Sequence, residues 1–194
     1  MNKLAFLPLV GPTKPRLTLL TRDYIHRTIV KAAAYLDVQS GGRAAFEFRV
    51  FDWFRVPITD DQWSTAEWSL FDIARPLISH GLGVDLTPFT HFALVLDDIN
   101  ARNGAWAKTG KPYLHLGALD LSPALLGHEL GHMFGAWHTR LDAPFGPIEY
   151  GDQFCIMGAE GEEEVLVPRS DDQLPGRIRG RQLALLRSMF LPVL

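Results

Sequence analysis

Residues 122–138 read Ser122-Pro123-Ala124-Leu125-Leu126-Gly127-His128-Glu129-Leu130-Gly131-His132-Met133-Phe134-Gly135-Ala136-Trp137-His138. Ser122 before Pro123 announces a helix, with serine as N-cap and proline at the first helical position, where a missing N–H costs nothing. That helix is expected to run to about Gly135. On it His128 and His132 lie four residues apart and stack on one face. Both imidazoles can then reach one metal ion at about 2.0–2.1 Å. Glu129 is offset around the helix and can sit beside the metal's open position without being a ligand. Gly135 can take a positive φ, end the helix and turn the chain sharply. The turn lets His138 come back as a third ligand. Three protein ligands leave a fourth position for water, which distinguishes a catalytic zinc from a closed structural one.

The chemistry implied by that arrangement is hydrolytic. Zinc lowers the pKa of its bound water towards about 7 and polarises a carbonyl. Glu129 takes the proton as water attacks and can pass it to the leaving amine. The bland alternative is a helix whose histidines are core or surface residues. Five fixed positions falling on a capped helix favour the metal.

Composition limits the classes open to the chain. It has 194 residues, 47% of them hydrophobic, which fits one domain or two small lobes and a sizeable core. Charged residues make up 21%, with formal net charge -3. That is neither the basic footprint of a nucleic-acid binder nor the profile of a disordered acidic tail. Cys155 is the single cysteine, so no intramolecular disulfide holds the fold. No apolar run approaches the roughly 18 residues that span a membrane. The first residues carry no convincing signal peptide: the apolar part is short and Pro8 interrupts it. A first strand is the expectation there.

Working outward, residues 4–10 and 17–20 read as short extended segments around a Gly11-Pro12 turn. From Asp23 to about Val38, the residues Ile25, Ile29, Ala32, Ala33 and Leu36 recur at helical spacing, and Gly41-Gly42 ends that helix. Residues 44–54 read as one half-buried strand, with Phe46, Phe48 and Val50 on one face and Glu47 and Arg49 on the other. Residues 65–73 suggest a helical turn or two, limited by Pro76. Residues 91–96 form an apolar run expected as a central strand. Residues 97–110 are loop-like around Asn103-Gly104, and 112–119 is another strand. Residues 139–175 look irregular, and a last helix is expected over about 177–190.

Residues 128–138 resemble the signature of the metzincin zinc peptidases. Met157, in Cys155-Ile156-Met157-Gly158, matches the methionine turn of that family, 19 residues after His138. The resemblance implies that it packs beneath the metal and does not ligate it. The stretch from Tyr150 to Gly158 looks most like gametolysin-type and related bacterial metzincins. Gly104-Ala105-Trp106-Ala107 and the strand beginning at Tyr113 are similar to the edge strand that binds substrate in such enzymes.

The resemblance implies an α/β (α+β) fold. It has a twisted, mostly parallel sheet with one antiparallel edge strand, a backing helix and an active-site helix. A small, irregular C-terminal subdomain ends in a helix. It implies a single catalytic domain over 1–194, with an upper subdomain of about 1–135 and a lower one of about 136–194. One catalytic Zn2+ is expected, and an extended peptide or protein substrate bound by strand addition. The family's habits favour secretion. Two departures stand out: Ala159 occupies the place where some metzincins carry a tyrosine, and no upstream segment with a cysteine switch is visible.

Other residues carry weaker expectations. Tyr150 reads as a packing residue first, with an oxyanion or loop-ordering role as the alternative. Asp152 reads as a turn former and Cys155 as a buried inert thiol. His26, His80, His91 and His115 read as surface or satisfied core histidines, and Trp106 and Trp137 as core. The acidic run Glu160 to Glu164 reads as a solvated loop, or else as a preference for a basic residue after the cut bond. A metzincin fold that holds zinc and a protein partner without turnover, or a narrow single-substrate protease, are the alternatives to a general endopeptidase. Glu129 argues for turnover, since binding alone does not require that carboxylate.

Overall fold

The computed structural model describes residues 2–12, 20–58, 70–97, 105–117, 121–138, 140–143, 146–149 and Met157. The expected helix over 177–190, most of the expected segment at 17–20, and Tyr150, Asp152, Cys155, Ala159 and the 160–164 acidic run lie outside these residues. The chain forms two compact units. The first comprises Met1–Arg27, Phe46–Lys108 and Pro112–Leu121. The second comprises Thr28–Ala45, Thr109–Lys111 and Ser122–Leu194.

The first unit is built on β1 (Asn2–Val10), β2 (Phe46–Val50), β3 (Phe54–Arg55), β4 (His91–Leu96), β5 (Ala105–Ala107) and β6 (Tyr113–Gly117). Their order is β2-β1-β4-β6-β5, with β3 also beside β1. All ladders are parallel except β5 against β6, where Trp106 pairs with His115. The expected class, a mostly parallel α/β sheet with one antiparallel edge, is therefore the observed one. From Leu4 to Val10 every β1 residue is buried, the continuous apolar run of a strand covered on both faces.

The strand expected over 44–54 is two strands, and the reason lies in its neighbour. The carbonyls of Phe6 and Val10 accept from Phe51 and Val56, while those of Lys3 and Leu9 accept from Thr90 and Asp97. Even-numbered residues of β1 therefore point towards β2 and β3. Pro8 is one of them and has no N–H to offer. Its place in the ladder falls between Phe6, where β2 ends, and Leu9, where β3 begins.

Helix α1 (Arg22–Ser40) starts where the Thr21 hydroxyl accepts from the Tyr24 N–H at 3.1 Å, and it ends at Gly41-Gly42 as expected. Helix α2 (Leu70–Pro76) departs from expectation, because Pro76 lies inside it and a π turn, Leu77–Gly81, follows. Pro76 keeps helical angles, φ -62 and ψ -37. Its missing N–H removes one rung, and the chain continues in the wider winding. One face of the sheet, with Ala5, Leu7, Leu9, Phe92, Leu94 and Leu96, packs on Leu70, Phe71, Ala74 and Ile78. Phe71 stacks on Tyr113 with ring centroids 5.0 Å apart.

The second unit carries α3 (Pro123–Met133) and a hairpin of β7 (Arg140–Ala143) and β8 (Gly146–Glu149), with Arg140 opposite Glu149. This hairpin corrects the irregular reading of that stretch. Four-residue strands are too short to show alternation, and Pro147 argues against a strand. Among the described residues no helix is long and apolar enough to cross a membrane.

Candidate metal centre

Helix α3 forms as the sequence directs. Ser122 is extended (φ -117, ψ 159), and its hydroxyl accepts from the Leu125 N–H at 3.2 Å. Pro123 fills the first turn. The helix ends at Met133, two residues before the expected Gly135, because the turn is made there. Gly135 has φ +100. Its N–H donates to the His132 carbonyl at 2.9 Å, and the Ala136 N–H reaches back to the Gly131 carbonyl at 2.8 Å. These two bonds are the Schellman pattern, which satisfies carbonyls left open at a helix end. No atom lies within 4 Å of where a Gly135 Cβ would sit, so the backbone angle and not space demands glycine.

The turn redirects residues 136–138. Their side chains alternate: Ala136 is buried, Trp137 is exposed at 71%, and His138 is half-buried. The expectation that Trp137 belongs to the core is thus overturned. Trp137 falls on the solvent side of the chain as it leaves the helix-end turn.

His128, His132 and His138 converge, and among the described residues they are the one group of side chains able to hold a metal ion. The His132 Nε2 lies 3.1 Å from Nε2 of His128 and 2.8 Å from Nε2 of His138. A tetrahedral ion bound at about 2.0–2.1 Å sets its ligand atoms roughly 3.3 Å apart, and these two separations fall within about half an ångström of that edge. The His132 Nδ1 lies 2.8 Å from the Ala136 carbonyl. A carbonyl only accepts, so Nδ1 carries the proton and Nε2 presents a lone pair to the other two rings. Burial pushes the His132 pKa down to about 4, helped by the neighbouring His128 and His138 and opposed by the Ala136 bond. The ring is neutral near pH 7, the form a metal ligand requires. The donor set, three neutral-capable imidazoles with one tautomer fixed by a backbone acceptor, fits zinc.

Glu129 follows His128 on the same helix and is 5% exposed. Met157 is buried, and its sulfur would be in too-close contact with a Cβ on Gly131, with its methyl 3.4 Å from that position. Sequence reasoning passed over Gly131. A glycine inside a helix is destabilising by about 0.5–1 kcal/mol relative to alanine, and that was the available signal for a close approach. The Ala136 carbonyl was also missed, since a backbone atom leaves no mark in the residue letters.

Among the described residues no other histidine joins this cluster. His115, on β6, is buried, stacks on Trp106 at 5.3 Å, and has its pKa pushed down to about 4 by burial. The His91 Nδ1 lies 2.8 Å from the Thr90 hydroxyl, and burial lowers its pKa. His26 lies against Phe48, with ring centroids 5.2 Å apart.

No family model and no curated protein matches the chain. Among solved structures, the chain is similar to archaemetzincin from Methanopyrus kandleri, at 16% identity and TM-score 0.53, covering 97% of this chain and 94% of that one. At that identity the likeness establishes the fold. A second likeness, to a chain in a chaperone–substrate complex, has 15% identity and TM-score 0.44. It covers 81% of this chain, which spans only 27% of that longer one. No functional conclusion follows from it.

Proposed function

We propose that this protein is a zinc-dependent endopeptidase in which His128, His132 and His138 hold one zinc ion and Glu129 is the general base. The observation that carries the reading is the His132 to Ala136 bond, which turns a lone pair towards the other two imidazoles. A fold similar to archaemetzincin supports it. Zinc bound there supplies an acidified water and a Lewis acid for the scissile carbonyl.

The chain's own residues do the rest. His132 is held in the ligating tautomer by Ala136, so no proton has to leave Nε2 when the ion binds. Glu129 accepts the proton of the attacking water and returns it to the leaving amine. Its burial keeps that transfer away from bulk water. Met157 packs against Gly131 beneath the helix and acts as a support. Strand β5 is paired with β6 and ends the sheet order. Beside β5, the last of the described strands, an extended peptide would add as a further strand.

The test is metal analysis joined to proteolysis. Purified protein is expected to hold one zinc per chain, and it should cut an unfolded protein substrate until a zinc chelator is added. Zinc uptake without cleavage of any peptide would favour a metal-holding binding protein. Cleavage that survives complete zinc removal would overturn the proposal.

A further inference from the structure

The carbonyl of His132 accepts two hydrogen bonds. One is from Gly135 within the helix-end turn, and the other, at 2.9 Å, is from the N–H of Gly110. Gly110 lies 22 positions earlier, in Thr109–Lys111, which belongs to the same compact unit as α3. Its φ is +69, a left-handed conformation that side-chain-bearing residues rarely adopt. No atom lies within 4 Å of where its Cβ would sit. The space is open, so what glycine provides here is the direction of the N–H.

That direction matters because of what it meets. The His132 carbonyl is among the last four of the helix and has no partner further along α3. Gly110 and Gly135 together occupy both of its lone pairs. The backbone of His132 is thus fixed by these two donors, and its ring by Ala136. With all three in place, the Nε2 of His132 has little freedom to leave the point shared with His128 and His138.

We infer that Gly110 is a positioning residue for the metal centre, acting through the His132 carbonyl. The inference rests on the zinc reading above. Metal ligands lose affinity when the partners that orient them are removed, by about ten- to hundredfold.

Two variants separate the bond from the bulk. In Gly110→Asn the residue tolerates a positive φ and keeps the N–H in place. In Gly110→Val a β-branched side chain excludes that conformation and swings the N–H away. Zinc affinity of the metal-free proteins is measured by competition with a chromophoric chelator, and ligand geometry by the visible spectrum of the cobalt(II) forms. Gly110→Val is expected to bind zinc about ten- to hundredfold more weakly and to shift the cobalt bands. Gly110→Asn should stay near wild type in both. Wild-type affinity and spectrum in Gly110→Val would overturn the inference, as would equal weakening in the two variants. If Gly110→Val does not fold, Gly110→Ala is read in the same way, with a smaller loss expected and no loss overturning the idea. A wild-type protein that takes up no zinc removes the metal reading itself, so the two failures are distinguishable.

Discussion

The Nδ1–H of His132 donates to the carbonyl of Ala136, four residues on, at 2.8 Å. This bond joins the shape of a helix end to the chemistry of a ring. Ala136 is where it is because Gly135 takes φ +100 and returns the chain over the last turn. The same turn carries His138 to the other two histidines. One glycine thus sets the tautomer of one imidazole and delivers another imidazole to it.

Replacing Gly135 should therefore injure both folding and metal binding. Gly135→Ala forces a Cβ into a left-handed conformation, a strain of about 1–2 kcal/mol. The Ala136 carbonyl and His138 would both shift. We expect urea denaturation of the metal-free protein to show a loss of that size, and zinc affinity to fall by about tenfold or more. An unchanged zinc dissociation constant would show that the turn does not set the site.

Gly131 and Met157 should behave as a coupled pair. In Gly131→Ala the new methyl meets the Met157 sulfur, and overpacking of this kind costs about 1–3 kcal/mol. In Met157→Ala a buried side chain is lost, at about 2–5 kcal/mol. The double variant should cost less than the sum of the singles, because removing Met157 makes room for the added methyl. Additive losses in a double-mutant cycle would show that the two do not meet.

Burial of His115 predicts acid sensitivity. Its pKa is lowered from 6.5 to about 4 on folding, so between those values the unfolded chain binds the proton and the folded one resists it. Stability is then fully present above pH 6.5, declines as pH falls, and stops declining near pH 4. The contribution of this ring is up to about 3 kcal/mol. His115→Phe keeps an aromatic ring beside Trp106 and should lessen the slope of that part of the stability profile of the metal-free protein, leaving the share of His132, whose pKa is also lowered to about 4. A variant with the wild-type slope would place the acid sensitivity elsewhere.

The cluster of three histidines was legible because its parts are local. Four-residue spacing puts His128 and His132 on one helix face, and Gly135 marks the turn that returns His138. The strands of the sheet were legible one at a time, from their apolar runs. Their order was not, because ladder partners such as Phe6 and Ala93 lie far apart in the chain. The break between β2 and β3 had its cause in Pro8, some forty residues away, where no local pattern points to it. The edge strand at Trp106 was visible only by resemblance, since three residues are too few to show alternation. Gly110 carried no signal beyond that of an ordinary turn glycine, because its partner is a backbone carbonyl.

The most direct test of the central claim compares wild-type protein with Glu129→Gln. Both are digested against one proteome-derived peptide library, read by mass spectrometry, with zinc content measured on each. Glutamine keeps the size of the side chain but cannot take a proton from water. The account predicts one zinc per chain in both proteins and cleavage by the wild type alone. Cleavage at wild-type rates by Glu129→Gln with its zinc in place would contradict it.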